Sequence, residues 1–358
     1  MRHGGTGPVS GCRCRPLVGW SRGPEVDGSP PPAVYFLSDY GSTDEFVGVV
    51  HAVLHRLAPT VPVIDLSHQV PPFDVGSGAS MLVRSAPYLG AGVVLAVVDP
   101  GVGTDRRAVA IGTTTGPLGG QGVPAGLGAS DRPHWLVGPD NGLLIPIAAA
   151  LGGVDTVVAL LPPSRWRGAT GPEPGPVDHV GPSFDGRDLF APAVGHLVLG
   201  GDPAAIGTVV DPDSLVAGAA PVTGDEHGVE AGASRSDVHT SVAWIDRFGN
   251  VQLRLRPQVL DDGGLLVGDR AWVSVADGPG PAGSGRAGGT GGGSAPMVTV
   301  RRVSSFGALG TGEMGLMADA NGRMALVRNQ SSAAHRLALS GPGHRVRIWW
   351  HRTEGPRR

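Results

Sequence analysis

Three aspartates stand directly after short apolar runs that predict buried strands: Asp39, Asp65 and Asp99. In α/β sheets, ligands bind outside the carboxyl ends of the strands, so these carboxylates are candidates for a binding site. Asp39 is followed by Tyr40-Gly41, which predicts a turn that leaves its carboxylate exposed. Such a carboxylate can accept both hydroxyl groups of a ribose, although an aspartate here is also typical of a turn or a helix cap.

The segment that follows Asp99 is the most informative stretch of the chain. Its glycines, Gly101 and Gly103, predict a turn where a ligand can approach the backbone closely. The third glycine of a dinucleotide-binding fingerprint is missing, and residues 108–111 predict a strand instead of a helix, which disfavours a nucleotide-dependent oxidoreductase. Asp99 and Arg106 can pair and hold a water or an anion beside a substrate. A structural salt bridge is the alternative interpretation.

Three further polar segments fall at predicted turns. Residues 139–142 open a predicted helix, residues 183–188 precede another, and residues 246–250 lie between two strands, where a hairpin turn is the alternative explanation. Three histidines on predicted helices are interpreted as structural or surface residues: His51, His55 and His196. The sequence therefore predicts no metal site.

The composition excludes several classes of protein. All 28 cationic side chains are arginines, so neither a Schiff-base lysine nor the lysine of a phosphate-binding loop is present. A formal net charge of −3 over 358 residues argues against nucleic-acid and membrane partners. The chain lacks an apolar run of membrane-spanning length and a secretory signal, which predicts a cytoplasmic protein. Cys12 and Cys14 alone cannot build a disulfide framework.

The elements that must position these residues form two predicted domains. Alternating strands and helices over residues 33–205 indicate an α/β domain with a mostly parallel sheet. Short alternating segments over residues 237–358 indicate an all-β, barrel-like domain. We interpret residues 206–236 as the linker between them and residues 1–32 as a disordered extension.

Local signals refine this division. The segment 42–45 has the spacing of a helix capping box, and Asp74 is the expected N-cap of the second helix. The glycine-rich stretches 112–133 and 277–296 predict loops, and the second of them is a Gly/Ser sequence that we expect to be flexible.

Seven segments, taken together and in order, resemble those of one family, the S-adenosylmethionine (SAM) hydroxide adenosyltransferases, or SAM hydrolases, with the related SAM-dependent fluorinase and chlorinase. The segments are Ser38-Asp-Tyr-Gly-Ser-Thr-Asp44, Asp65-Leu-Ser-His68, Pro72-Phe-Asp74, Val98-Asp-Pro-Gly-Val-Gly-Thr104, Pro139-Asp-Asn-Gly-Leu143, Phe184-Asp-Gly-Arg-Asp188 and Ile245-Asp-Arg-Phe-Gly-Asn250. Each motif alone is weak, but seven in order across both predicted domains are specific.

The resemblance implies a fold, an assembly and a reaction. The family combines an α/β domain with a β-barrel domain, and it forms homotrimers whose sites lie between one subunit's first domain and a neighbour's barrel. SAM is the substrate and no cofactor is needed. A nucleophile attacks the 5′-carbon of the ribose and expels methionine; water gives adenosine, and a halide gives a halogenated nucleoside.

The resemblance also implies roles for individual residues. Asp39 would bind the ribose diol, and the ring of Phe73 would line the ribose pocket. Asp246 and Asn250 would take the methionine ammonium and its neighbouring polar groups, and the backbone near Arg328 would face adenine. The full implied substrate-binding set is Asp39, Phe73, Asn141, Phe184, Asp246, Phe248, Asn250, Arg328 and Asn329.

The choice of nucleophile rests on Asp99, Arg106 and Asp185. The hydrolases resemble this chain in the aspartate and the arginine, and a histidine completes their water-activating triad, whereas the fluorinase has a tyrosine at the position of Asp99. Asp99 therefore favours water over halide. Asp185 stands where the hydrolases carry the histidine. Either Asp185 serves as the third member, or His179 substitutes for it, or the chain is a catalytically weak SAM- or adenosine-binding protein; a halogenase is the remaining alternative.

Overall fold

The structure is a computed structural model, and it describes residues 32–114, 134–166, 183–218, 228–231, 235–276 and 297–351. The residues described belong to one compact unit. The predicted extension 1–32 falls outside this description except for its last residue, and the predicted loop 277–296 falls outside it entirely. Most of the predicted loop 112–133, together with His179, also lies outside it.

The first domain is built on a seven-stranded sheet with the spatial order β2-β1-β3-β5-β4-β6-β7. The four neighbours β2, β1, β3 and β5 run parallel, and β4 is antiparallel to both β5 and β6. The mostly parallel sheet predicted from the sequence is therefore confirmed. Its strands are β1 (Ala33–Ser38), β2 (Val63–Ser67), β3 (Gly92–Val97), β4 (Ala108–Thr113), β5 (Trp135–Pro139), β6 (Val154–Leu160) and β7 (Gly207–Val210).

Helices cover both faces of this sheet. They are α1 (Phe46–Leu57), α2 (Val75–Ser85), α3 (Ile145–Ala150) and α4 (Ala191–Val198). The period-2 alternation of a strand explains why β1 serves two cores. Phe36 packs on the face that holds Leu54 and Val194, whereas Leu37 packs on the opposite face with Leu82. The central strands are consequently apolar on both sides, as in other parallel sheets.

The two predicted helix starts have different outcomes. The α2 N-cap is confirmed, since Asp74 Oδ1 accepts a hydrogen bond from Ser77 N at 2.9 Å. The capping box predicted at residues 42–45 is wrong. The helix begins at Phe46 with no side-chain cap bond, and the Ser42 hydroxyl instead accepts from Gln69 Nε2 at 3.3 Å.

The second domain is a closed β-barrel, as predicted. Seven strands follow one another around it, and pairing of β9 with β10 closes the circle, while β8 adds to the outside of β9. The segment 206–236, which we interpreted as a linker, supplies β7 to the first sheet and β8 to the barrel edge. The strands and helices are β8 (Gly228–Ala231), β9 (Arg235–Ile245), β10 (Val251–Leu253), α5 (Pro257–Asp262), β11 (Arg270–Ala276), β12 (Met297–Arg302), β13 (Met314–Ala318), β14 (Met324–Arg328), α6 (Ala333–Arg336) and β15 (Arg345–His351).

An arginine links the two domains. The guanidinium of Arg84, on α2, lies 4.1 Å from the ring centre of Trp244 on β9. Burial lowers the pKa of Arg84 to about 10, which still leaves it charged at neutral pH. The contact is thus a cation–π interaction that fixes the barrel against the α/β domain. Among the residues described, no helix has both the length and the apolar character needed to cross a membrane.

Candidate active site

A cavity of about 260 Å³ opens at the carboxyl ends of β1 and β3. This is the edge of the sheet at which the sequence predicts a site. Five of the predicted site residues line it, namely Asp39, Phe73, Asp99, Phe184 and Asp185. Its other lining residues are Tyr40, Phe46, Pro72, Val97, Val102, Ser183 and Gly186.

At one side of the cavity, Arg106 holds two carboxylates. Its Nε donates to both oxygens of Asp99, at 3.0 and 2.9 Å, and its Nη2 donates to Asp99 Oδ2 and to Asp185 Oδ2. The side chain of Asp99 is only 6% exposed and that of Arg106 only 12%, whereas Asp185 is 23% exposed. We call these three residues the Asp–Arg–Asp cluster. The structure therefore joins the residues that were predicted to choose the nucleophile.

The cluster carries more negative than positive charge. Burial alone lowers the pKa of Arg106, but the hydrogen bonds and charges of Asp99 and Asp185 outweigh it, and the pKa is raised above its usual value. Arg106 is therefore a permanent cation that neither takes nor gives a proton in the reaction. With both aspartates ionised, the cluster has a formal charge of about −1.

The two aspartates of the cluster differ in their free acceptor sites. Both oxygens of Asp99 are occupied, since Oδ1 also accepts from Gly101 N at 3.2 Å. Within the part of the chain that is described, Asp185 Oδ2 accepts from Arg106 and Oδ1 accepts no hydrogen bond. Among the carboxylate oxygens of the cluster, Asp185 Oδ1 is consequently the one that remains available to a water molecule in the cavity.

Asp39 forms the second polar point of the cavity. Its Oδ2 accepts a hydrogen bond from the backbone N of Phe73 at 2.9 Å, and the described residues make no hydrogen bond to Oδ1. Phe73 adopts a φ of 66°, which a bulky residue rarely does, and its side chain is 70% exposed. Asp39 thus holds a strained phenylalanine at the mouth of the cavity and keeps acceptor capacity for a ligand.

Aromatic rings also line the cavity. Phe184 packs edge-on against Tyr40 and Phe46, with ring centres 5.7 and 5.0 Å away. Burial, with the charges of Asp39 and the two cluster aspartates, raises the pKa of Tyr40 well above its usual value. The phenol therefore keeps its proton at neutral pH and can donate a hydrogen bond, but it does not act as a base.

A π-helical turn sets the position of Phe184 and Asp185. It spans Gly186–Phe190 and runs directly into α4, where the sequence predicts only a helix over 189–199. A side chain at Gly186 is excluded, because a Cβ there would lie 2.2 Å from the Tyr40 hydroxyl. The glycine therefore lets the turn approach Tyr40 closely, and such turns are frequent at functional sites.

Asn141, the remaining predicted residue of the first domain, holds the backbone next to the site. Asn141 Nδ2 donates to the carbonyl of Val98 at 2.9 Å, and its Oδ1 accepts from Leu143 N at 3.2 Å. The side chain thereby ties the turn after β5 to the residue that precedes Asp99. Asn141 is not among the residues that line the cavity.

The predicted residues on the barrel lie outside the cavity lining. Asp246 accepts from the backbone N of Phe248 and of Asn250, both at 2.9 Å, and from Asn250 Nδ2 at 2.8 Å. Phe248, at the tip of this turn, is 78% exposed. Arg328 Nε donates to the Gly312 carbonyl at 2.9 Å and Asn329 Nδ2 donates to the Leu309 carbonyl at 2.7 Å. These side chains order two loops of the barrel, and the structure does not bring them together with the cavity of the same chain.

Comparison with known proteins identifies the family. The sequence model of the SAM hydroxide adenosyltransferase N-terminal domain matches residues 34–118 and 125–207, and that of the C-terminal domain matches residues 240–347. The chain belongs to the SAM hydroxide adenosyltransferase family. It is 38% identical over 320 residues to the (R)-S-adenosyl-L-methionine hydrolase of Salinispora tropica, covering 89% of this chain and 98% of that protein.

The family match extends to structure and to more distant relatives. A crystal structure of an uncharacterized conserved protein from Thermotoga maritima has a TM-score of 0.64 at 25% identity, and the alignment covers 88% of this chain and 99% of that one. A fluorinase from an Actinoplanes species is 27% identical over 245 residues, covering 65% of this chain and 75% of that protein. The chain is thus more similar to the hydrolase than to this fluorinase.

Tyr40 and Phe46 are among the lining residues of this cavity that the sequence did not assign to a site. The sequence predicts a turn at Tyr40 and gives Phe46 no functional role, yet both line the cavity beside Phe184. Phe46 carried a usable signal, because it is the first residue of a helix that follows a candidate binding turn. The contact of Tyr40 with Gly186 joins segments nearly 150 residues apart, so local sequence patterns cannot predict it.

Proposed function

We propose that this protein is a SAM hydrolase, in which water attacks the 5′-carbon of SAM and releases adenosine and L-methionine. The observation that carries the proposal is the Asp–Arg–Asp cluster, shielded from solvent at the edge of a cavity that has a second carboxylate site at Asp39. Family membership and the hydrolase name of a relative at 38% identity support it.

The reaction depends more on the orientation of the 5′-carbon and the water than on acid catalysis of the leaving group. The sulfonium leaves as a neutral thioether, taking the electron pair of the carbon–sulfur bond as the new carbon–oxygen bond forms. No cofactor is needed for this step. The protein must hold the 5′-carbon in line with the water, and we assign that task to Asp39, through the ribose hydroxyls, and to the rings of Phe73 and Phe184.

The proton of the attacking water needs an acceptor. Asp185 Oδ1 has a free acceptor position, whereas Asp99 is fully engaged by Arg106 and Gly101. We therefore assign the water-binding role to Asp185, which accepts the proton and later passes it to solvent. Asp99 fixes the guanidinium, and the guanidinium fixes Asp185, so this arrangement orients the water before attack.

The charge of the cluster selects water over halide. A chloride or fluoride ion beside a cluster with a formal charge of about −1 is repelled, while water can donate a hydrogen bond to the same carboxylate. We expect purified protein incubated with SAM to give adenosine and methionine with and without excess chloride, as separated by chromatography. A halogenated nucleoside that appears only with chloride would assign a halogenase, and bound but unchanged SAM would assign a binding protein.

The configuration of the sulfonium offers a further readout of the same assay. The name of the Salinispora tropica relative specifies the (R) form, and we propose the same preference here. If the protein holds both the ribose and the methionine, inverting the configuration at sulfur would move the 5′-carbon out of line with the attacking water. Equal rates for the two separated epimers would contradict this preference.

Asp185→His tests the departure from the family motif. Because Asp185 accepts directly from Arg106 and faces the cavity, we expect it to be the working group and the histidine variant to lose activity about tenfold or more. A rise in the turnover number would instead show that histidine is the better group at this place. Asp188→His is the matched control, because Asp188 lies on the same turn and pairs with Arg187, outside the cavity lining.

We further propose a homotrimer whose sites are completed by the barrel of a neighbouring subunit. The cavity is lined by the first domain alone, and Phe248 is exposed on a barrel turn that the same chain does not use. The predicted barrel residues Asp246, Phe248, Asn250, Arg328 and Asn329 then act on the substrate of another copy. The cytoplasmic location and the absence of nucleic-acid and membrane partners stay predictions from the sequence.

Mixing two inactive variants tests where the site is assembled. Arg106→Gln disables the first domain, and Phe248→Ala disables only the barrel turn, with little effect on folding because the side chain is 78% exposed. In co-assembled trimers with random mixing, about a quarter of intersubunit sites combine two intact halves, so activity returns. A site within one chain gives no recovery, and sedimentation measures the assembly state independently.

A further inference from the structure

A second cluster of potential ligands lies outside the cavity. His51 on α1, Asp65 on β2 and His68 just after β2 bring one ligand atom each to within 4.8 Å of one another. His51 Nε2 lies 2.8 Å and His68 Nε2 lies 3.1 Å from the same oxygen, Asp65 Oδ1. We call these three residues the His–Asp–His cluster. None of them lines the cavity of the proposed active site.

The orientation of His68 is fixed from its other nitrogen. Nδ1 is hydrogen-bonded to the Ser38 hydroxyl at 2.8 Å, and the ring packs edge-on against Phe36 with centres 4.6 Å apart. The side chain is only 11% exposed. A second partner that holds the far nitrogen of a histidine is the arrangement found around metal-ligating histidines.

The near nitrogen of His68 is the observation that points to a ligand. Nε2 is shielded from solvent and makes no hydrogen bond to the residues described, because its 3.1 Å approach to Asp65 lacks hydrogen-bond geometry. Buried polar atoms are nearly always satisfied, so this one requires a partner. An ion pair between a protonated His68 and Asp65 would balance their charges, but it would still leave Nε2 without a hydrogen bond.

We propose that the His–Asp–His cluster binds a divalent transition-metal ion of the zinc class. Two imidazole nitrogens and one carboxylate oxygen are ligands that Zn²⁺ accepts in tetrahedral sites. Asp65 is 42% exposed, which leaves the fourth position open to water. The sequence predicts no metal here, because the three ligands come from a helix, a strand and a loop and match no local spacing.

The site would join α1 to β2 and support the neighbouring turn. The carbonyl of His68 accepts from Gly41 N at 2.8 Å, next to Asp39 and Tyr40. A metal on His68 therefore stabilises the folded chain near the cavity without contacting the substrate. This inference does not depend on the proposed hydrolase activity.

The test uses the full-length, untagged protein, stripped of metal and titrated with Co²⁺ and then with Zn²⁺. We expect one Co²⁺ per chain with the intense visible absorption of a four-coordinate ion, its displacement by Zn²⁺, and a rise in the melting temperature. Weak absorption typical of hydrated Co²⁺, with no change in melting temperature, would overturn the proposal. A sulfur-to-cobalt charge-transfer band would place the metal on Cys12 and Cys14 and would also overturn it.

Substitutions locate the ion. We expect Asp65→Asn and His51→Gln each to weaken Zn²⁺ binding more than about tenfold in calorimetry, since each removes one of three ligands. His55→Gln is the matched control, because His55 is an exposed histidine one turn further along the same helix. If His55→Gln abolishes binding while Asp65→Asn does not, the metal sits on the helical pair His51 and His55, and the proposed site is wrong.

Discussion

Arg106→Gln is expected to lower the turnover number by about 10²- to 10³-fold, the cost typical of losing a preorganised charged donor in an active site. The Michaelis constant is expected to change by only a few-fold. Arg106 makes its hydrogen bonds to Asp99 and Asp185 and is not itself among the cavity-lining residues. Its loss therefore misplaces the water-binding carboxylate and leaves the substrate contacts in place. Steady-state kinetics with varied SAM separates the two parameters.

The same substitution is expected to destabilise the fold. Without the guanidinium, Asp99 and Asp185 face each other with no cation between them, and Asp99 is almost fully buried. Removing one partner of a buried ion pair costs about 3 kcal/mol, which chemical denaturation measures directly. A loss of activity could then reflect unfolding alone, so a second variant is needed.

Arg106→Gln combined with Asp185→Asn separates orientation from charge. The double variant returns the cluster to its original formal charge and removes the repulsion between two carboxylates, so part of the stability should return. Asp99 stays buried without its cation, so the recovery should be incomplete. Activity should stay low, because neither the guanidinium nor the water-binding carboxylate is restored. Equal loss in affinity and turnover for the single variant would make Arg106 a substrate clamp and contradict the assigned role.

The general architecture follows from local patterns. The apolar strand β3 and the alternation along β1 predict a parallel sheet with a core on each face. Asp39 and Asp99 lie at the carboxyl edge of this sheet because each follows the end of a strand. The pairing of Asp99 with Arg106 is also local, since only six residues separate them and two of these are glycines, which allow a short turn.

The features that local sequence patterns do not determine depend on distant contacts. Asp185 reaches Arg106 across 79 residues, and its free oxygen is known only once the other three carboxylate oxygens of the cluster are seen to be occupied. The capping box at residues 42–45 failed for a similar reason, because Ser42 found a partner in Gln69, 27 residues away. Sequence spacing identifies groups that can interact, but tertiary packing decides which of the competing partners each group takes.

The second large effect is expected from Asp39→Ala, which should weaken SAM binding by about 10- to 100-fold. A hydrogen bond to a charged acceptor contributes about 1.5–3 kcal/mol, and Asp39 has acceptor sites free for the ribose hydroxyls. These hydroxyls do not change during the reaction, so ground state and transition state lose the same contact. The Michaelis constant should therefore rise while the turnover number stays within a few-fold of the original.

Asp39 also anchors Phe73, and the controls must separate this task from ribose binding. Asp39→Asn keeps a neutral oxygen that can accept from Phe73 N, so it preserves the strained loop but offers the ribose a weaker acceptor. Phe73→Ala removes the exposed ring and leaves Asp39 in place. If ribose binding dominates, calorimetry ranks the loss of SAM affinity as Asp39→Ala first, Asp39→Asn second and Phe73→Ala third. If Phe73→Ala instead matches Asp39→Ala, the carboxylate acts through the aromatic wall, and unchanged affinity in all three would remove Asp39 from the site.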